Sequence, residues 1–150
     1  MAGLLFNAGT EGEVALSAAT VKTIVRVKAP ANQMVKVLAW GVSFDGTVST
    51  NEPVVVQLLR QTTDGTGTSF TAKKVNDSIS TSVQSTTHKD FSAEPTAGDI
   101  LDTKEIHPQS GLHIIFPPGQ EPIVGGGGRL AIRATAPNAV NVSGNLFCEE

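Results

Sequence analysis

The chain of 150 residues has no tyrosine, one tryptophan and one cysteine. A single cysteine excludes an intramolecular disulfide framework. Cys148 lies on the apolar register of the last segment beside Leu146, with no histidine or lysine neighbour to activate it, so it reads as a small buried hydrophobe. Scarce aromatics argue against a carbohydrate platform, because sugar rings stack on π-faces. Charged residues make up 17%, net charge is −3, and only Lys73-Lys74 place two basic residues together. Nucleic-acid binding draws on clustered Lys and Arg, so no nucleic-acid partner is expected. No apolar run approaches the roughly 18 residues of a spanning helix. The N-terminus MAGLLFNAGTEGE lacks the basic start and apolar stretch of a secretory signal. Neither a membrane partner nor signal-directed export is expected, and synthesis in a cytoplasm is.

What is present is a β texture rich in Thr, Ser, Val, Gly and Ala. A chain of this length buries about 70% of the surface its unfolded form exposes and is expected to form one domain. Period-two alternation and short apolar runs predict strands over residues 20–28, 34–44, 54–61, 70–75, 100–107, 112–116, 121–124, 129–136 and 139–147. The Ser/Thr-rich stretch 76–99 is open to two readings, a strand through Ile79 and Val83 or an irregular excursion. Pro137-Asn138 separates two alternating segments and predicts an antiparallel hairpin with one wet face. Within 34–44, Leu38, Trp40, Val42 and Phe44 alternate with Val35, Val37 and Ala39. That pattern predicts a central strand covered by the sandwich on one side and by another body on the other, with Trp40 in the core. The expected fold is therefore all-β, an antiparallel jelly-roll-like sandwich or barrel of about eight strands. Residues 20–150 form its body. Residues 1–19 are either its first strand or an N-terminal arm whose tip, Leu4-Leu5-Phe6, adds to a neighbouring chain's sheet.

Tests for chemistry find no set. Gly-x-Ser-x-Gly is absent, and Gly125–Gly128 precede a strand without the Lys-Ser/Thr pair of a phosphate loop, which suits a tight or bulged turn instead. His107 and His113 flank a turn but lack a third zinc ligand at any supporting spacing. The loop from Asp45 to Pro53 lacks the acid pattern of a calcium site. Asp99, Asp102 and Glu105 read as solvated charges rather than a glycosidase pair. No catalytic residue, cofactor or metal is expected.

The carboxyl half, EPTAGDILDTKEIHPQSGLHIIFPPGQEPIVGGGGRLAIRATAPNAVNV, resembles small virion proteins of tailed bacteriophages, among them the decoration (cement) proteins on the outside of the head. The resemblance covers roughly residues 35 to 148 and rests on texture and turn placement. It implies a jelly-roll-like body on the head exterior that forms a small homo-oligomer, such as a trimer, and binds where subunits of the major capsid protein meet. Leu4, Leu5, Phe6, Val35 and Val37 are the expected partner interface. A receptor- or glycan-binding sandwich module of a phage particle is the competing expectation, and a solvent-facing Trp40 in a groove would favour it.

Overall fold

A computed structural model describes residues 3–46 and 52–150. In chain order the strands are β1 (Leu5–Gly9), β2 (Val14–Leu16), β3 (Val21–Lys28), β4 (Val35–Phe44), β5 (Val54–Gln61), β6 (Thr66–Phe70) and β7 (Lys73–Lys74). They continue as β8 (Thr86–Ala93), β9 (Ala97–Ile106), β10 (Gly111–Ile115), β11 (Ile123–Val124), β12 (Arg129–Thr135) and β13 (Val140–Glu149). There is no helix among the described residues. Two antiparallel sheets face each other. Sheet A runs β10-β4-β13-β1-β7, with β11 on β4 and β2 on β13; sheet B runs β6-β8-β3-β12-β5-β9. The expected all-β antiparallel sandwich is the observed one, and neither sheet closes into a barrel. Among the described residues there are thirteen strands rather than about eight; β2, β7 and β11 are pieces of two or three residues, and ten longer strands remain. The Ser/Thr-rich stretch is irregular until β8 begins at Thr86.

Between the sheets lies one apolar core. Phe6, Val35, Val37, Trp40, Leu58, Leu130, Ile132, Leu146 and Cys148 are all at 0% exposure there. Each fully buried Leu, Ile or Phe contributes about 1.5–3 kcal/mol relative to exposure. Gly144 on β13 leaves room for Ile24 of the facing sheet, whose Cδ1 would stand 3.0 Å from an added Cβ.

Three expectations are corrected. The segments flanking Pro137-Asn138 do not pair: β12 bonds to β3 and β5 in sheet B, while β13 bonds to β1, β2 and β4 in sheet A. The turn is an arch between sheets, because alternation specifies a wet face but not a partner. Nor is β4 two-faced. Phe147 lies opposite Ala39 and Cys148 opposite Val37, so Leu38 is an extra residue, and this β-bulge reverses the parity. Val35 and Val37 thereby join Trp40, Val42 and Phe44 in the same core. Finally, β1 lies between β13 and β7 inside sheet A, with Leu4 and Glu150 exchanging backbone bonds (2.8 and 3.1 Å). The arm reading gives way to the first-strand reading. Met1 and Ala2, and residues 47–51 of the expected Asp45–Pro53 loop, lie outside the described residues.

Sheet B covers its own outer face. Asp90 in β8 has φ +50° and breaks the ladder register, so that Thr68 pairs with Lys89 and Thr66 with Ala93. Beyond it the chain crosses from β3 to the end of β5. Glu94 accepts from the Thr23 amide and, at 2.7 Å, its hydroxyl; Thr96 accepts from the Thr62 amide at 2.9 Å. Pro95 of this crossing and, on the sheet, Leu59, Ala131, Phe91, Arg26, Thr23 and Gln61 are buried, and all lie outside the main core. Gln61 at one end of β5 donates to Thr23 Oγ1 at the far end of β3 (2.8 Å), so the sheet folds across its own outer surface.

Candidate functional site: the outer face and free edge of sheet A

β10 bonds only to β4, and the ladder's phase is fixed by Phe116 N–H donating to Leu38 O (2.9 Å) and Phe44 N–H to Ser110 O (3.0 Å). Leu112, Ile114 and Phe116 therefore spend their backbone groups on β4. Gly111, His113 and Ile115 direct theirs away from the sheet. The strand carries no charged residue, and prolines bracket it at Pro108 and Pro117-Pro118. Ile115 is 71% exposed, the highest value for a large hydrophobic among the described residues. Ile123 on β11 is exposed along the same edge, while Leu112, Ile114 and Phe116 half-bury against the core rim.

Next to this edge the outer face forms a trough of about 490 Å³. Its floor is a row across four strands, Gly9, Asn145, Gly41 and His113, with Ser143 and Ser43 in the row below. A Cβ on Gly41 would stand 2.9 Å from His113 Nδ1 and 3.1 Å from Asn145 Oδ1, so glycine is what lets those groups close over the strand. The wall is the turn Thr10–Gly12, held by Gly144 N–H donating to Thr10 Oγ1 (3.2 Å) and bent at Glu11 (φ +58°). The floor offers neutral donors and acceptors, which can receive a hydroxylated ligand or a protein loop.

Among the described residues, a concentrated charge cluster lies on sheet B. Arg26 is buried, its guanidinium donating to Asp64 O and facing His88 Nδ1 at 3.1 Å, with Phe91 beneath it at 5.2 Å. Asp64 Oδ1 also meets Lys28 Nζ at 3.0 Å and Arg129 Nε at 2.8 Å. Hydrogen bonds from Arg129 and Lys28 hold the Asp64 carboxyl well below the usual range, and the same contact raises Arg129. Burial, then the Arg26 charge, lowers His88. The cluster pins the β5–β6 turn onto the sheet. In the sequence, the signal of a fixed bend there is the Asp64-Gly65 pair, with Gly65 at φ +60°.

The expected interface residues are placed elsewhere. Phe6, Cys148 and Val37 are neighbours in one core row, Val35 is also at 0% exposure, Leu4 is buried at 9%, and Leu5 is half-buried. Phe6, Val35 and Val37 belong to the chain's own core, because β1 is an inner strand and the bulge turns Val35 and Val37 inward; Leu5 alternates with Phe6 onto the other face of β1, and Leu4 and Leu5 lie outside that core. Trp40 lies in the core, at 0%. Burial pushes the Cys148 thiol far above its ordinary range, which leaves it inert. His107 is exposed and accepts from Gln109 N–H (3.2 Å), whereas His113 lines the trough and His88 faces Arg26. Among the described residues no three of His, Cys, Asp or Glu converge on a metal position. Sequence reading found the apolar run at 112–116 but not its place at an edge. Compared with known proteins, the chain matches no family model, no curated protein and no solved structure.

Proposed function

We propose that the chain is a structural virion protein, a decoration (cement) protein on the exterior of a tailed-bacteriophage head. In this reading it is not an enzyme and takes no cofactor. It binds where major capsid protein subunits meet and, as a homo-oligomer, stabilises the expanded shell. The observation that carries the reading is the bare outer face and uncharged edge of sheet A, a surface suited to other protein chains. The resemblance of the carboxyl half supplies the particular setting. Many symmetric copies bind by avidity, so each contact need only be modest. The test adds purified protein to expanded heads stripped of decoration, followed by sedimentation and electron microscopy. Regular occupancy at subunit junctions, with heads more resistant to heat, is expected; heads that sediment bare overturn the reading.

A second reading, a receptor- or glycan-binding module, is favoured by the neutral hydrogen-bonding floor of the trough. Binding on a glycan array that is lost in Asn145→Ala would select it; a blank array would leave the assembly reading.

A further inference from the structure

The other edges of the two sheets are protected against further strands, and β10 is not. β7 is Lys73-Lys74. β9 carries Asp99, Asp102, Lys104 and Glu105, and Leu101 is an extra residue between the pairs Leu58–Asp102 and Leu59–Ile100. Charges and bulges are the usual means of refusing an edge partner. β6 is a polar strand, Thr66–Phe70, with Lys89 Nζ lying 5.5 Å from the Phe70 ring. The short pieces β2 and β11 also have a single partner strand, but Ala15 O accepts from Lys22 Nζ (3.1 Å) and Ile123 O from the Arg60 guanidinium (3.1 Å). Among the described edges, β10 is the full-length strand that combines an apolar sequence, no charge and free backbone groups at Gly111, His113 and Ile115.

From this we infer that β10 is a self-association seam, on which β10 of a second copy adds antiparallel about a two-fold axis through His113. The inference rests on the geometry of the edge and not on the virion setting. Three properties select a second copy over an unrelated strand. First, the free window is five residues long and ends at prolines or a turn on both sides, so an identical strand matches its length. Second, the window is self-complementary under a two-fold. Gly111 faces Ile115 of the second copy, so the bulkiest exposed apolar side chain lies beside a residue without Cβ. Leu112 faces Ile114 on the core side, and His113 faces its own copy. Third, the residues with free N–H and C=O groups are those that such a register opposes, so each exchanges both bonds with its opposite. No charged residue of either strand meets another. The pairing makes one continuous sheet across the two copies, with both troughs on its outer face flanking the axis.

A two-fold seam is isologous and builds dimers, or assemblies of dimers, rather than trimers. Light scattering on the purified chain should give twice its mass of 15.6 kDa. Ile115→Lys should return it to the single mass with an unchanged circular dichroism spectrum, since that side chain is solvent-exposed. His113→Cys tests the register. Hydrogen-bonded antiparallel partners have Cα atoms about 5.5 Å apart, within disulfide reach. The native thiol is buried, so mild oxidation should cross-link His113→Cys to a dimer and leave Ile115→Cys uncoupled. A single mass at all concentrations, a trimer mass, or equal cross-linking of the two cysteine variants overturns the seam. A single-mass protein that still decorates heads would sink the seam and leave the proposed function intact; a dimer that ignores heads would do the reverse.

Discussion

The two sheets treat their outer surfaces differently. On sheet B the loop at Glu94–Thr96 crosses from β3 to β5 and seals a second, smaller core of Leu59, Ala131, Phe91 and the Arg26 guanidinium. On sheet A no described segment crosses: the middle rows are glycine, serine, asparagine and His113, and the edge strand ends the sheet with free backbone groups. Sheet B thus covers much of its outer face within one chain, while sheet A leaves hydrogen-bonding and apolar surface open, which the proposed reading assigns to another molecule. In the proposed reading, sheet B's outer surface concerns stability and sheet A's concerns association.

Substitutions on the two surfaces should therefore fail in different assays. The largest loss of stability is expected from Leu59→Ala, about 2–5 kcal/mol if that side chain sits in a true second core. Denaturant titration would measure it, and a cost near zero would mean the crossing loop is a loose cover. Arg26→Ala should cost about 1.5–3 kcal/mol, the scale of hydrogen bonds to a charged group. Arg26→Met should recover part of that, because an apolar side chain of similar length removes the need to desolvate a charge. Neither change should alter oligomeric mass.

A smaller effect depends on pH. The folded-state value of Asp64 is depressed, so its contribution is complete above the ordinary aspartate range, about 4, and is lost as pH falls through the folded value. His88 is also lowered, so the unfolded chain binds its proton first and stability declines as pH drops below about 6.5. Asp64→Asn should flatten the acid limb of a melting-temperature profile while leaving the decline near neutral pH. A profile unchanged by the substitution would remove Asp64 from the account.

Much of the fold was legible because alternation reads directly onto a half-buried strand. Val21–Lys28, Val54–Gln61 and Arg129–Thr135 fall within a residue or so of expectation. What alternation does not carry is which strand lies next door. Pro137-Asn138 looks the same whether it closes a hairpin or arches between sheets, and only pairing reveals the arch. A bulge is equally silent: one extra residue at Leu38 converted an apparent second apolar face into more of the same core. The Asp64 cluster was hidden because its members come from β3, the β5–β6 turn, β8 and β12, far apart in sequence. The edge of sheet A was half visible, as an uncharged run whose position at the end of a sheet is a property of topology.

At the smallest end of the stability scale, Ile115→Lys should shift unfolding by no more than about 0.5 kcal/mol, as an exposed substitution does, and its consequence should appear as lost association. The most direct measurement is residue-resolved amide hydrogen exchange at rising protein concentration, in the native chain and in Ile115→Lys. Amides of Leu112 and Ile114, bonded to β4, should be protected throughout. Those of His113 and Ile115 should gain protection with concentration in the native chain only, with sheet B unchanged. Fast exchange at His113 and Ile115 at every concentration would contradict the claim that sheet A is completed by another chain.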